Sequence, residues 1–317
     1  MSEIKSKSKT EELKESAYEK APPPKKNIGK MVVTLIVSCI ILFWAFSGAK
    51  FDVKELVLNG VKPFSDTVER MYPPDFHKIV DEKHYSVPAT LTPLELMLPL
   101  PLDADKNKQK TIWWNNQFPQ TILGSMIQTI QMALAGTTIA LFFAFPLSFL
   151  AARNTSPHPY VYTSIKSVLS LFRTLPDLAV GLVFVSAVGL GPFAGTLALA
   201  FGTTTIITKL LSEAIENIDE GVVEALKATG ANYMQVLSFA VVPQILPPLI
   251  SIWLYRFETN IRAASVLGLI GAGGMGYLLN NAFRTFAYRE ASAMILILIV
   301  LVISVDTMSA RLRKMAT

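Results

Sequence analysis

The residues most able to do chemistry stand where an apolar chain should carry none. Inside the run 244–270 lies Tyr255-Arg256-Phe257-Glu258-Thr259-Asn260-Ile261-Arg262. A central arginine or aspartate costs roughly 2.5–3.5 kcal/mol to insert into a bilayer, so these side chains must face one another or a polar path. At the α-helical pitch, Arg256 and Asn260 share one face while Glu258 and Arg262 share roughly the opposite one. Glu258, four residues before Arg262, is placed to neutralise it as an intramembrane ion pair. Arg256 and Asn260, with Tyr255 beside them, are left to line a substrate pathway whose net positive charge suits a phosphoryl-like anion. The alternative is that all four polar groups only pack subunits together.

Two further sets of residues bear on such a path. Gly271-Ala272-Gly273-Gly274-Met275-Gly276 matches G-x-G-x-x-G, but a charged membrane helix precedes it where a dinucleotide site needs a strand. In a membrane these glycines permit close helix approach or a non-helical bend, an outer gate or turn. Within the stretch 160–190, Arg173-Thr174-Leu175-Pro176-Asp177 interrupts the apolar pattern. Arg173 and Asp177 have ion-pair spacing, which Pro176 disturbs, so a functional kink and an ordinary interfacial pair both remain open.

A polar loop, 213–243, separates two apolar segments. Asp219 is a suitable N-cap, and Val222, Val223 and Leu226 give one apolar stripe. Gly230 falls where a helix ends on positive φ. Asn232 then caps a second helical piece, 233–242, which Pro243 is expected to end. Small residues at Ala225, Ala228 and Gly230 leave a surface that another protein's backbone can approach closely.

The elements that must hold these groups are membrane helices. Of 317 residues, 51% are hydrophobic and 17% charged, and the mean hydropathy is +0.41, too apolar for an ordinary soluble domain. The formal charge of +5 does not point to nucleic acid, because much of the lysine excess precedes the first apolar run, as the positive-inside rule expects beside a lipid bilayer. One cysteine, Cys39, excludes an intrachain disulfide and a thiolate metal cluster. His77, His84 and His158 lack partners at ligand spacing, so no metal site is expected.

The pattern divides into a cytoplasmic Lys-rich tail at 1–30, a first transmembrane anchor at 31–49, an extracytoplasmic segment at 50–119, a core at 120–310 and a cytoplasmic tail at 311–317. The small residues at 47–49 resemble a signal-peptide cleavage site, but the apolar run is too long and an uncleaved anchor fits better. Residues 53–71 have the pattern of an amphipathic helix on the membrane surface. Crossings at 31–49, 120–152, 160–190, 193–211, 244–270 and 292–305 predict an all-α, multi-pass protein of about six spans with both termini cytoplasmic.

The spacing Glu224-Ala225-Leu226, three residues, Gly230, nine residues, Ala240, one residue, Val242-Pro243 resembles the loop of ATP-binding-cassette import permeases. Glu224, Ala225, Gly230 and Pro243 carry the match, while Leu226, Ala240 and Val242 depart from the family's Ala, Ile and Leu. Tyr72-Pro73-Pro74-Asp75-Phe76, Leu150 through Thr155, Val188 through Gly195 and Tyr255 through Gly276 are similar to the permease subunits of phosphonate importers. The long tail and the stretch 77–117 depart from that compact pattern.

The resemblance implies a type I importer architecture and a homodimeric permease in the cell membrane. It also implies two cytoplasmic ATPase subunits docked on the loop and an external phosphonate-binding protein. With no G-x-x-x-x-G-K-[ST] in the chain, ATP and Mg would be bound by the ATPase, leaving this chain without cofactor or catalytic residues. An import permease for phosphite, phosphate esters or an amino acid is the nearest alternative. A membrane enzyme would need clustered carboxylates or an activated nucleophile, which the spans lack. A secondary transporter would show an internal repeat of broken helices and would leave the loop unexplained.

Overall fold

The computed structural model describes residues 28–49, 61–76, 90–92, 95 and 101–316. Most of the Lys-rich tail, the first part of 53–71, His77, His84 and most of 77–100 lie outside the described residues. The chain divides into two units, Met1–Ser65 and Asp66–Thr317. The first contains α1 (Ile28–Gly48), an apolar helix long enough to cross a bilayer. Of the expected helix at 53–71, the described part is α2 (Val61–Met71), and residues 53–60 lie outside the described residues.

The second unit is a helical bundle built on α4 (Ile122–Leu150), α7 (Pro192–Glu216) and α9 (Tyr233–Gly268). It is preceded by α3 (Ala104–Ile112), which runs on into a wide π-turn, Trp113–Gln117, and a tighter 3-10 turn, Phe118–Gln120. Thr121 caps α4 by accepting the Gly124 N–H at 2.9 Å. The pair α4 and α7 packs most extensively because small residues line the seam: Ala133, Ala140, Ala144, Ala194 and Ala198 are all buried. Hydroxyls on these helices are satisfied locally. Thr129 and Thr137, for example, donate to the carbonyls of Ser125 and Ala133 at 2.8 and 2.6 Å.

Between α4 and α7 the expected third crossing is broken. Pro159 starts α5 (Pro159–Phe172), and α6 (Asp177–Val188) follows at 86° to it. Pro176 supplies no N–H and disfavours helix at Leu175, so the chain turns there rather than kinking gently. Among the described residues five helices are thus long and apolar enough to cross a membrane, or six if this bent pair counts as one span.

After the loop helix α8 (Glu220–Ala228), the course of α9 corrects the expectation for Pro243. Tyr233–Val236 runs into a π-turn, Leu237–Val241, and then into Val242–Gly268, without a break at the proline. The Val242 N–H reaches back five residues to the Leu237 carbonyl. This wider turn absorbs the position where Pro243 has no N–H to give. Pro243 therefore lies inside α9, in the first turn of its α-helical stretch Val242–Gly268, and does not end a short helix.

A glycine turn leads to α10 (Gly274–Arg284), an element the sequence reading left unassigned. The final helix, α11 (Tyr288–Ala316), is longer than the expected 292–305. Its start is clasped by residues 71–75: Ser292 Oγ donates to the Met71 carbonyl at 2.7 Å and Arg289 Nε to the Pro73 carbonyl at 3.0 Å. The Asp75 N–H in turn donates to the Arg289 carbonyl at 3.0 Å. Apolar clusters fill both ends of the bundle, Phe149, Leu211, Ile215 and Ile245 towards the loop and Ile122, Met275 and Met294 at the opposite end.

Candidate functional site

The polar residues of α9 separate into two sets, as their spacing requires. On one face Arg256 and Asn260 are buried, 7% and 1% exposed. Arg256 Nη2 donates to Thr203 Oγ1 at 3.2 Å and to Asn260 Oδ1 at 3.4 Å. Thr203 Oγ1 donates to Asn260 Oδ1 at 3.0 Å, and Asn260 Nδ2 to Thr137 Oγ1 at 2.8 Å. One buried network thus joins α4, α7 and α9, and Arg256 Nε within it has no hydrogen-bond partner among the described residues. A buried guanidinium with an unmet donor is costly to keep unless something uses it.

This arrangement differs from the expectation that Arg256 and Asn260 stand free along a path. Their polar ends turn inward onto Thr203 and Thr137, both buried. The sequence signal for these partners was the run Thr203-Thr204-Thr205 and the threonines of 120–152, overlooked because threonine is common in apolar helices. Tyr255 lies apart, on an adjoining face and 49% exposed.

The opposite set is more extensive than the expected pair. Glu258 Oε1 meets Arg262 Nη2 at 2.9 Å, and α11 supplies the other members. Asp306 is 3.3 Å from Arg262, and Arg313 is 3.4 Å from Glu258. Four charges alternate in sign across the α9–α11 seam, which balances them locally. Nothing in local spacing connects positions 44 and 55 residues apart, so Asp306 and Arg313 were missed.

Arg173 and Asp177 form no ion pair with each other among the described residues. The turn at Pro176 removes the i,i+4 geometry and sends the two side chains to different places. Asp177 lies against α7, where a Cβ on Gly202 would come within 2.7 Å of its Oδ1. Its charge is within electrostatic reach of Arg256.

The glycine segment forms a turn with positive φ at Gly271, Gly273 and Gly274. The N-terminus of α10 then meets side chains of α4: the Gly274 N–H donates to Gln128 Oε1 at 2.7 Å and the Met275 N–H to Thr129 Oγ1 at 2.9 Å. Gly191 N–H donates to the Gly271 carbonyl at 3.0 Å, joining this turn to the one between α6 and α7. At Gly276 any Cβ would sit 1.8 Å from the Ser265 carbonyl oxygen, so α10 can lie against α9 only with glycine there. These glycines build a fixed corner at the end of the bundle away from the loop.

The loop is equally defined. Asp219 accepts the Gly221 N–H at 2.8 Å to start α8, and Gly230 at φ +83 ends its last turn. Asn232 and Gln235 form a reciprocal capping box at the start of α9. Gln244 clasps both ends, accepting the Asp219 N–H at 2.9 Å and donating to the Ala240 carbonyl at 2.8 Å. Val223 packs inward against Ile215 and Val241, while Glu224, Ala225 and Gly230 are exposed. Tyr233 Oη donates to the Thr155 carbonyl at 2.8 Å. Between the loop and the 150–157 turn lies a cavity of about 780 Å³ bordered by Glu220, Glu224 and Lys227.

Comparison with known proteins places this arrangement. The family described as "Binding-protein-dependent transport system inner membrane component" matches residues 144–315, more than half of the chain. The chain is 43% identical over 189 residues to the phosphite transport system permease protein PtxC of Stutzerimonas stutzeri, covering 60% of this chain and 69% of that one. It is 39% identical over 187 residues to the phosphate-import permease protein PhnE of Mycolicibacterium smegmatis, covering 59% of this chain and 35% of the relative. Among solved structures, the MetNI methionine ABC transporter in inward-facing conformations superposes with a TM-score of 0.55 at 19% identity, over 62% of this chain and 96% of that one. The all-α polytopic architecture of type I importer permeases is therefore the fold found here.

Proposed function

The chain belongs to the family of binding-protein-dependent transport system inner membrane components, and on that premise we propose that it is the membrane-spanning subunit of an ATP-driven importer of phosphonates or related phosphorus oxyanions. The observation that carries the substrate class is Arg256, a buried guanidinium whose Nε is unpartnered, in a chain 43% identical to a phosphite permease. Phosphorus oxyanions present several acceptor oxygens to such a donor, and the neighbouring Asn260 and Thr203 add polar contacts. Tyr255, Arg256 and Asn260 form the substrate pathway in this reading.

Energy enters elsewhere. The exposed face of α8, with Glu224 and Ala225, and Gly230 just after it dock on a separate cytoplasmic ATPase that binds ATP and Mg, and Pro243, after the π-turn of α9, lies on the helix that carries the movement inward. The working complex holds two copies of this chain, two ATPase subunits and an external binding protein. The chain lies in the cell membrane with both termini cytoplasmic, its core at 120–310 doing the transport, and has no catalytic residue of its own. Arg173, Pro176 and Asp177 form a hinge between α5 and α6, and Gly271, Gly273, Gly274 and Gly276 an outer corner against which the path closes.

The test is substrate-stimulated ATP hydrolysis in proteoliposomes holding this chain, its ATPase and the binding protein. Alkylphosphonates, phosphite or phosphate esters should stimulate, and methionine should not. Stimulation by methionine alone would overturn the substrate class. Glu224→Lys, or a bulky residue at Gly230, should leave membrane insertion intact and uncouple hydrolysis from uptake; normal uptake in both would remove the docking role.

A further inference from the structure

A second cationic site lies between α5 and α7, outside the Arg256 network. Tyr162, Lys166 and Ser170 follow one another at spacings of four on one face of α5, and Arg173, three residues on, caps its C-terminus. They border a cavity of about 410 Å³, and Lys209 of α7 closes its other side. Three cations and no carboxylate line this space. A cavity of a few hundred Å³ is the size that encloses small ligands, and charged side chains among membrane helices are kept where they meet water or a ligand.

The donors left open in this cavity favour an anion. Lys166 lies 3.3 Å from Glu216 and Lys209 lies 3.6 Å from Glu213, so each lysine is partly balanced from outside the lining. Arg173 has no side-chain partner among the described residues, and the lining retains a net positive charge. Tyr162 Oη accepts from Lys166 Nζ at 2.7 Å, which leaves its own hydrogen to donate. The Ser170 hydroxyl faces the same space and makes no hydrogen bond among the described residues.

We infer that the cavity between α5 and α7 binds a phosphorus oxyanion through Arg173, Lys166 and Lys209. The site lies towards the loop end of the bundle, beside Ser212 and Ala151, whereas the glycine corner is at the other. The inference rests on the import reading for its ligand class: an oxyanion that has passed Arg256 meets this cluster before leaving. The same chemistry describes a phospholipid headgroup, and the experiment separates the two sources.

Thr163 is exposed and borders the cavity without belonging to the donor set. With Cys39→Ser removing the single native thiol of this chain, Thr163→Cys gives one reporter per copy, and labelling is read on this chain after the subunits are separated. The assembled transporter, in dodecyl maltoside micelles, is labelled with maleimide in the presence of methylphosphonate, inorganic phosphate or added dioleoylphosphatidylglycerol. Methylphosphonate or phosphate should slow labelling about fivefold or more, Arg173→Gln should abolish that protection and Arg173→Lys should restore part of it. Protection by phosphatidylglycerol alone, still lost in Arg173→Gln, keeps the oxyanion site and assigns it to lipid. Protection by none of the three, or protection unchanged in Arg173→Gln, overturns the inference. Methylphosphonate uptake by the native complex in proteoliposomes is followed in parallel, so failure of the import reading with protection intact is distinguished from failure of the site.

Discussion

The two polar faces of α9 are built from similar residues and solve opposite problems. Around Glu258 and Arg262, two cations and two carboxylates alternate, and Arg262 is partly exposed. Around Arg256 a single cation is hydrogen-bonded only to neutral oxygen atoms, Asp177 acts on it through space alone, and its Nε has no partner among the described residues. The first set is electrically complete and holds α9 to α11. The second is incomplete, and a fold selected only for stability would gain by replacing it with an apolar side chain. In the proposed reading, that incompleteness is what assigns this face to transport.

Substitutions at the two faces should separate these roles. The largest effect is expected from Arg256→Ala, which removes hydrogen bonds from a charged donor and should lower uptake about ten- to a hundredfold, read as initial rates in proteoliposomes. Arg256→Met should lose transport similarly while the thermal midpoint of the purified complex stays within about 2 °C, because the Asn260, Thr203 and Thr137 bonds survive. A collapse of assembly in both variants would make the network a packing device and erase the contrast.

Glu258→Gln should act the other way. It leaves Arg262 with Asp306 and removes the charge that Arg313 meets on α9, at a cost of about 1 kcal/mol, seen as a midpoint lowered by roughly 2–4 °C. Uptake should stay within about twofold of the native rate, since this seam carries no substrate in the reading above. A transport defect exceeding that of Arg256→Met would reverse the assignment of the two faces.

The smallest effect belongs to a third charged cluster, half-buried at the surface of the segment before α4. Glu95 accepts from the Thr92 N–H at 2.8 Å and meets Lys106 at 3.1 Å, and chiefly through the Thr92 backbone its pKa falls from 4.5 to about 2. A lowered carboxylate stabilises the folded form above its unfolded value and loses that contribution as pH falls through the folded one. Amide exchange at Thr92 should therefore be protected at pH 5 and progressively released as pH drops from about 4.5 towards 2. Unchanged protection across that window would show that Glu95 does not hold the turn.

Much of this was legible in the sequence because it follows from short spacing. The Glu258–Arg262 pair, the caps at Asp219 and Asn232 and the turn at Gly230 all lie within a few residues of the signals that predicted them. What was not legible depends on distant partners. Gln128 and Thr129 meet the start of α10 across 146 residues, and Asp306 meets Arg262 across 44. Pro243 misled for a different reason. A proline is read as a stop when only the α-helical ladder is considered, and the π-turn before it offers the backbone another way through.

That π-turn has a mechanical consequence. One surplus residue between Leu237 and Val241 resets the phase of everything downstream by about 100°, so the register of Arg256 relative to the loop is fixed by a local winding defect. Loop and arginine ride on one shaft, Tyr233–Gly268, and a twist applied at α8 arrives at Arg256 as a rotation of the same rod. Deleting a single residue from the turn would leave both ends chemically intact and point them in the wrong directions relative to each other.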